Sequence, residues 1–340
     1  MAVKVWILRE FSQILGAELK ARLELSMQKL MQFLVGINKE VKFPFWAKCK
    51  LASCAAFMNL SIEMPDLHNT SDLRCWGDPQ ALAELIVAYQ LMPSDKWAPF
   101  WNYLSSTWHE PSKQYVGPAY KLGFQHPHLQ AALALFSGSL DALNTYPLFC
   151  AMLTVQNELQ QNVFPTHLKG ANDRFSWSVH HFAEYAYSTL LGKQSPEQMP
   201  GFFPYYLAAG PHSLAIQAPF GYATSELVFE IEPEVYAEDK EKAKALVISF
   251  NDHPHNNVLV SGQKATCFTF SDPLEITLGK KTLKLSFERL SGDGQFVGHI
   301  VRGNRSGHCQ ERYTASDVQI FLRALRGTTA TVIKVNLALE

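Results

Sequence analysis

The chain has 340 residues, of which 47% are hydrophobic, 12% aromatic and 18% charged, with a formal net charge of −1. This length and apolar content predict two hydrophobic cores or one large core. Nucleic-acid binding is not expected, because Lys and Arg residues are neither in excess nor clustered. We expect a cytoplasmic protein, because no apolar run approaches the roughly 18 residues of a membrane span, no signal peptide is recognisable, and the six cysteines are scattered without a CxxC pair.

Helical spacing dominates the first half of the chain. Apolar residues recur at three- and four-residue steps over 4–37, and Asp78 followed by Pro79 is typical of an N-cap with proline at the first helical position. Further helices are predicted over 45–60, 79–91, 118–137, 141–161 and, as the last helix, 174–191. The aromatic stretch from Pro93 to Tyr115 allows two interpretations. It is either a helix–helix core or a sugar-stacking wall that includes Trp101 and Trp108.

From Ser213 onwards the hydrophobic period changes to two, which indicates strands. The predicted strands cover 213–217, 226–231, 245–250, 257–260, 266–270, 275–278, 282–287, 295–301, 318–325 and 329–339. Glycine-containing turns separate them at close intervals, the pattern of an antiparallel β-sandwich. Helices first and strands afterwards predict an α+β protein with a helical domain over 1–208 and a sandwich domain over 209–340.

Histidines in metal-ligand spacing are the first chemical signal. His253 and His255 form an HxH pair at a strand edge, and His181 with Glu184 forms an i, i+3 pair on the helix predicted over 174–191. Neither pair has the additional motif that would complete a metal site. A catalytic metal, a hydrogen-bonded structural role and metal-free catalysis therefore all remain open. The chain has no Gly-x-Ser-x-Gly elbow, Walker loop or GxGxxG fingerprint, so no cofactor is expected.

Two segments resemble a known group of enzymes. The helix opening from Ser112 to Tyr115 and the run His255-Asn-Asn-Val-Leu-Val-Ser-Gly262 are similar to motifs of the heparinase II/III and alginate lyase group of polysaccharide lyases. The resemblance implies that the helical half is an incomplete α/α toroid packed against antiparallel sheets. It also implies β-elimination on an acidic poly- or oligosaccharide.

The resemblance implies three chemical tasks, and polar side chains of this chain suit each of them. A lyase must neutralise the uronate carboxylate, remove the C5 proton and protonate the leaving oxygen. The expected proton-transferring phenol is Tyr115 or Tyr222, with His181 as the partner base and Asn172 or Arg174 as the carboxylate neutraliser. Other candidates are His255 as a catalytic or loop-fixing residue, and, as substrate-binding residues, His180, Asn256, Trp101 and Trp108. The alternative is a non-catalytic relative that binds a sugar or a protein partner on the same scaffold.

Overall fold

The computed structural model describes residues 1–41, 43–67, 79–117, 131–132, 135, 150, 153, 163–171, 175–193, 204–217, 222–223, 227–233, 245–306 and 316–340. The chain divides into two compact units, the first formed by residues 1–106 and 126–160 and the second by residues 107–125 and 161–340. This division differs from the predicted boundary at residue 208, because strands between 166 and 209 belong to the same sheet as the later strands.

Five helices lie in the described residues and account for the predicted helices over 4–37, 45–60 and 79–91. They are α1 (Ala2–Phe11), α2 (Ala17–Glu40), α3 (Phe45–Phe57), α4 (Pro79–Leu91) and α5 (Ala98–Thr107). Pro44 immediately precedes α3, and Pro79 is the first residue of α4, positions where the missing proline N–H leaves no helical hydrogen bond unmade. The helices predicted over 118–137 and 141–161 fall mostly outside the described residues.

The core of the first unit comes from the apolar faces of four helices. Helix α1 buries Ala2, Val5 and Leu8, which lie three residues apart and therefore share one face. The other buried members of this cluster are Met27, Met31, Leu51, Cys54, Ala55, Val87 and Leu91. Among the helices that the structure describes, none combines the length and the apolar character needed to cross a bilayer.

The second unit is built from strands. They are β1 (Trp108–His109), β2 (Gln114–Tyr115), β3 (Thr166–Ala171), β4 (Phe175–His181), β5 (Ala186–Lys193), β6 (Tyr205–Ala209), β7 (His212–Gln217), β8 (Tyr222–Ala223), β9 (Val228–Ile231), β10 (Leu246–Asn251), β11 (Asn256–Val260), β12 (Cys267–Thr269), β13 (Leu274–Leu278), β14 (Lys281–Ser291), β15 (Gln295–Ser306), β16 (Ser316–Arg326) and β17 (Thr331–Leu339). Each of the ten strands predicted after Ser213 is confirmed, with shifts of a few residues at its ends.

The strands form a ten-stranded sheet, which we call the large sheet, a five-stranded sheet, which we call the small sheet, and a separate two-stranded hairpin. The large sheet has ten strands in the order β12-β15-β16-β10-β7-β6-β5-β4-β3, with β8 paired to β5. The small sheet has five strands in the order β11-β13-β14-β17-β9, and β1 pairs with β2. All of these pairings are antiparallel, so the described residues confirm a mixed α+β architecture.

The prediction of a helix over 174–191 is wrong, because the antiparallel strands β4 and β5 occupy this part of the chain. In β4, the side chains of Trp177, Val179 and His181 alternate with those of Ser178 and His180. An alternating pattern of this kind has a period of two, and pairing with β3 on one side and β5 on the other makes it a strand. The pair His181 and Glu184 therefore does not lie on a helix face.

One face of the large sheet carries two different environments. Residues opposite one another across the ladder share a face, which runs from Phe268 in β12 through Ile248 and Ile216 to Tyr187 and His180. The small sheet lies on the β12 end of this face, where the Phe268 and Phe287 rings stack with centroids 6.1 Å apart. Towards β3 the same face is partly exposed. We call this part the open face, and the reverse side of the large sheet the hairpin face.

Candidate functional site

Three neighbouring strands place a group of polar side chains on the open face. His167, His180 and Tyr187 are directly opposite one another across β3, β4 and β5, and Lys169, Ser178 and Thr189 form the next row. Because alternate residues of a strand share a face, both rows point the same way. We define the open-face patch as His167, Lys169, Ser178, His180, Tyr187 and Thr189, of which the first two are exposed and the other four partly buried.

Hydrogen bonds connect four members of the open-face patch. The Nδ1 atoms of His167 and His180 are 2.8 Å apart, and Nε2 of His180 is 3.0 Å from the Ser178 hydroxyl. The Ser178 and Thr189 hydroxyls are 2.7 Å apart. On its other side the His180 ring stacks on Tyr187, with centroids 4.5 Å apart and an interplanar angle of 14°. A continuous chain of hydrogen bonds therefore runs through the patch, and its central imidazole is stacked on the Tyr187 ring.

The turn between β4 and β5 adds further rings at the end of the patch. Phe182 stacks on Tyr185 with centroids 4.6 Å apart and lies parallel to Tyr187 at 6.3 Å. Lys281, at the start of β14, places its ammonium 5.0 Å from the centre of the Tyr185 ring and 3.0 Å from the Glu184 carboxylate. Aromatic faces, hydroxyls and cations thus lie along one continuous surface of the second unit.

Burial sets the protonation states of two patch residues. Partial burial, and then the neighbouring His167, lower the pKa of His180, so its imidazole favours the neutral form. Burial, and then Tyr185, raise the pKa of Tyr187, so its phenol keeps its proton at neutral pH. The patch therefore pairs a neutral imidazole with a protonated phenol, a combination suited to accepting and donating protons.

A second group of polar residues lies on the hairpin face and is buried. His109 donates from Nε2 to the Phe182 carbonyl at 2.8 Å, which leaves its Nδ1 to accept from the Ser112 hydroxyl at 2.8 Å. The Ser112 oxygen in turn accepts the backbone N–H of Gly210 at 2.9 Å. His181 is adjacent, with its ring centroid 5.4 Å from that of His109.

Both buried imidazoles are held neutral. Burial lowers the pKa of His109, although its bond to the Phe182 carbonyl acts in the opposite direction. Burial, then His109 and then His180 lower the pKa of His181 to about 4. His181 has no exposed surface, so in this conformation it does not reach a saccharide.

The aromatic candidates from the sequence are buried as well. Trp101 belongs to the core of the first unit, where its ring packs edge-on against Tyr89 with centroids 4.8 Å apart. Trp108 and Tyr115 face each other across β1 and β2 and are 2% and 0% exposed. Of the two interpretations of the aromatic stretch, these positions favour the core over the sugar-stacking wall.

His255 and Asn256 lie in a different place from the open-face patch, at the turn between β10 and β11. Asn256 is buried and acts as a clamp, because its amide donates to the Asn251 carbonyl at 2.8 Å and its oxygen accepts the Gly279 N–H at 3.2 Å. His255 is exposed and lies 5.4 Å from the His253 ring. The structure does not bring either residue together with His181 or Tyr115.

Three sequence candidates have little or no structural description. Asn172 and Arg174 lie outside the described residues, as does the side chain of Tyr222. The backbone of Tyr222 belongs to β8, opposite Lys193 of β5.

Sequence reasoning missed His167, Lys169 and Tyr187, and His180 was placed on the wrong type of element. A period of two was present in Ser178-x-His180 and in Tyr185-x-Tyr187-x-Thr189, and it would have indicated strands. Across the residues that the structure describes, no group of three or more His, Cys, Asp or Glu side chains is arranged to hold a metal ion.

No protein-family model matches the chain, and no curated protein matches it significantly.

Proposed function

We propose that this protein is a carbohydrate-active enzyme that binds an acidic oligosaccharide on the open-face patch and cleaves it by β-elimination. The observation that carries the proposal is the His180 ring, stacked on Tyr187 and hydrogen-bonded to His167 on a partly exposed surface. Pyranose rings pack their apolar faces on aromatic rings, while neighbouring polar groups bond the hydroxyls. Lys169 is an exposed cation in the adjacent row and suits a uronate carboxylate.

Each chemical task has a residue in the patch. Lys169 neutralises the carboxylate, and the imidazole pair of His167 and His180 accepts the C5 proton, most directly on Nε2 of the exposed His167. The electron pair of the broken C5–H bond forms the C4–C5 double bond as the C4–O bond breaks, and Tyr187 donates its proton to the leaving oxygen. The pair then loses its proton to water and the phenolate regains one, so the enzyme returns to its starting state.

The proposal also assigns the fold to the heparinase II/III and alginate lyase type. In that assignment the helices of the first unit belong to an incomplete α/α toroid, and the two larger sheets form a β-sandwich. Burial that alternates along β11 and β13 supports the sandwich, as does the contact between Phe268 and Phe287.

The activity is tested on alginate, polygalacturonate, heparan sulfate and chondroitin sulfate by the ultraviolet absorbance of the unsaturated uronate product. We expect product from at least one of these glycans, and at least a hundredfold loss of turnover in Tyr187→Phe with little change in affinity, because general acid catalysis contributes about 10²–10⁴-fold. Tyr89→Phe, in the first unit, is the matched control and keeps full turnover. Turnover by Tyr187→Phe at the wild-type rate would exclude Tyr187 as the acid.

Affinity is tested separately from turnover. Lys169→Gln removes a charge-assisted contact with the carboxylate, so we expect the Kd for the bound glycan to rise about tenfold. Lys29→Gln, at an exposed position of α2, is the matched control and should leave the Kd unchanged. An equal Kd for Lys169→Gln and the wild type would place the carboxylate elsewhere.

A non-catalytic saccharide-binding protein is the second candidate function. The complete burial of Tyr115 and His181, the phenol and base expected from the sequence, favours it. Binding of an acidic glycan that depends on Lys169, with no unsaturated product from any glycan of the panel, would select this candidate.

A further inference from the structure

The imidazoles of His167 and His180 in the open-face patch are joined by a hydrogen bond, so one proton lies between them. Their Nδ1 atoms are 2.8 Å apart, a hydrogen-bonding distance. A neutral imidazole carries one N–H, so one Nδ1 donates and the other accepts. One additional proton on an outer ring nitrogen preserves this contact and makes it charge-assisted. Two additional protons would bring two N–H groups face to face and break it. The pair therefore takes up one proton as a unit.

The surroundings favour the neutral form of His180 when no ligand is bound. Burial and the neighbouring imidazole lower the pKa of His180, and the exposed cation Lys169 lies in the next row. Tyr187 on β5 stacks on His180, and the ring centroid of Phe182, in the turn after β4, lies 5.7 Å from that of His167. Farther along this turn, Tyr185 stacks on Phe182, and the Glu184 carboxylate is paired with Lys281 of β14. An anion that arrives beside the pair supplies the missing negative charge.

We infer that an acidic saccharide binds to the open-face patch together with one proton, which the pair of His167 and His180 takes up. The inference rests on the saccharide-binding part of the proposed function. Histidine is the side chain whose ordinary titration falls between pH 5 and 8, so the linked proton is taken up near neutral pH. The stacked Tyr187 ring stabilises the resulting cation through its face.

The same proton has opposite effects on binding and on turnover. The charged pair attracts the carboxylate, but it has no lone pair left to accept the C5 proton. Affinity therefore increases as the pH falls, whereas the rate of elimination decreases. Linkage of one proton changes the Kd by at most tenfold per pH unit.

The test uses the Tyr187→Phe protein, in which cleavage is at least a hundredfold slower and binding is measured before product accumulates. Hexasaccharides of alginate, polygalacturonate, heparan sulfate and chondroitin sulfate are titrated by calorimetry from pH 5.5 to 8.5, in two buffers with different ionisation enthalpies. We expect the Kd at pH 6 to be about tenfold lower than at pH 8, with uptake of up to one proton per bound saccharide. Adding His167→Gln should remove both the pH dependence and the proton uptake. Adding His299→Gln, at a histidine of β15 outside the patch, should leave both unchanged.

Other results of the titrations would contradict either the proton linkage or the saccharide-binding function. Binding with the same Kd at pH 6 and pH 8, or a pH dependence that persists after His167→Gln, overturns the proton linkage and leaves the proposed function standing. No binding of any of the four probes at any pH overturns the saccharide-binding function, and the linkage with it.

Discussion

The Ser112 hydroxyl joins three segments of the second unit through one oxygen atom. It donates to His109, accepts from the backbone of Gly210, and through His109 reaches the carbonyl of Phe182. Buried polar groups of this kind contribute little net energy when satisfied, but they are costly when a partner is removed. Ser112 therefore fixes the β1–β2 hairpin to the turns after β4 and β6.

Replacing Ser112 by alanine should lower the free energy of unfolding by about 1–3 kcal/mol. The substitution leaves Nδ1 of the buried His109 and the N–H of the partly buried Gly210 without this partner. Urea denaturation measures the change. Ser271→Ala, at an exposed position, is the control and should change stability by less than about 0.5 kcal/mol. Equal stability of Ser112→Ala and the wild type would mean that this oxygen does not anchor the hairpin.

His180 and His181 show how far single residues can be interpreted from sequence. They are adjacent histidines, and both were sensible candidates for proton transfer. In β4 they lie on opposite faces, so one belongs to the partly exposed patch and the other is completely buried. The residue types suggested the chemistry, and the strand geometry decided which histidine has access to a ligand.

At the scale of elements, strand β12 depends on a glycine of its neighbour. Phe268 lies directly opposite Gly298 of β15, and a Cβ at that glycine would come within 2.1 Å of the Phe268 ring. The ring thereby fills the space that a side chain would occupy, and it also stacks on Phe287 of the small sheet. The glycine thus allows one aromatic residue to connect an edge strand to both sheets.

Gly298→Ala should destabilise the protein by about 1–3 kcal/mol, because the added methyl group forces the packed Phe268 ring out of place. Gly36→Ala is the matched control with the opposite sign. Gly36 lies inside α2, and apart from its chain neighbours and the backbone of its own helix no atom lies within 4 Å of the new Cβ, so alanine should stabilise by about 0.5–1 kcal/mol. Thermal unfolding of both variants measures the two shifts, and a Gly298→Ala protein as stable as the wild type would contradict the packing argument.

Strands β3, β4 and β5 are the elements that the sequence predicted least well. Short segments with mixed apolar and polar residues fit a helix or a strand about equally, so their neighbours decide. Here β5 pairs with β6, which continues the sheet of the correctly predicted strand β7. By contrast, the alternation over 245–340 is regular and bounded by glycine turns, and those strands were predicted correctly.

At the scale of the second unit, the turns of the large sheet bring histidines from distant parts of the chain to one end. The turns after β4, β6 and β10 lie at the same end because Ala186 pairs with Ala208 and Phe250 pairs with Leu214. Seven of the eight histidines in the described part of the chain lie at this end. They are His109, His167, His180, His181, His212, His253 and His255.

The three buried histidines of this group, His109, His181 and His212, predict acid sensitivity. The pKa values of His109, His181 and His212 are lowered, mainly by burial, so the folded protein binds fewer protons than the unfolded chain below the ordinary histidine pKa of 6.5. Stability should therefore fall as the pH is lowered from about 6.5 towards 4, the lowered value of His181. His181 alone accounts for a loss of about 3 kcal/mol by pH 4.

Urea denaturation at pH 7.5, 6.0 and 5.0 checks this expectation. The midpoint should decrease with pH in the wild type and decrease less in His181→Gln, which lacks the titrating group. The midpoint of His299→Gln should change with pH as in the wild type, because His299 is not one of the buried histidines. Equal midpoints at pH 7.5 and pH 5.0 would show that these histidines are not buried in their neutral form.

The sequence by itself determined the order of the architecture, helices first and antiparallel strands afterwards, because hydrophobic periodicity is a local property that each element carries. It also pointed to histidine and tyrosine chemistry. Only the tertiary structure decided which of these side chains meet, because strand pairing brings residues such as His167 and Tyr187 together across three strands and assigns every side chain to one face. Burial on the hairpin face removed His181 from contact with solvent, and partial exposure on the open face made His180 the better candidate.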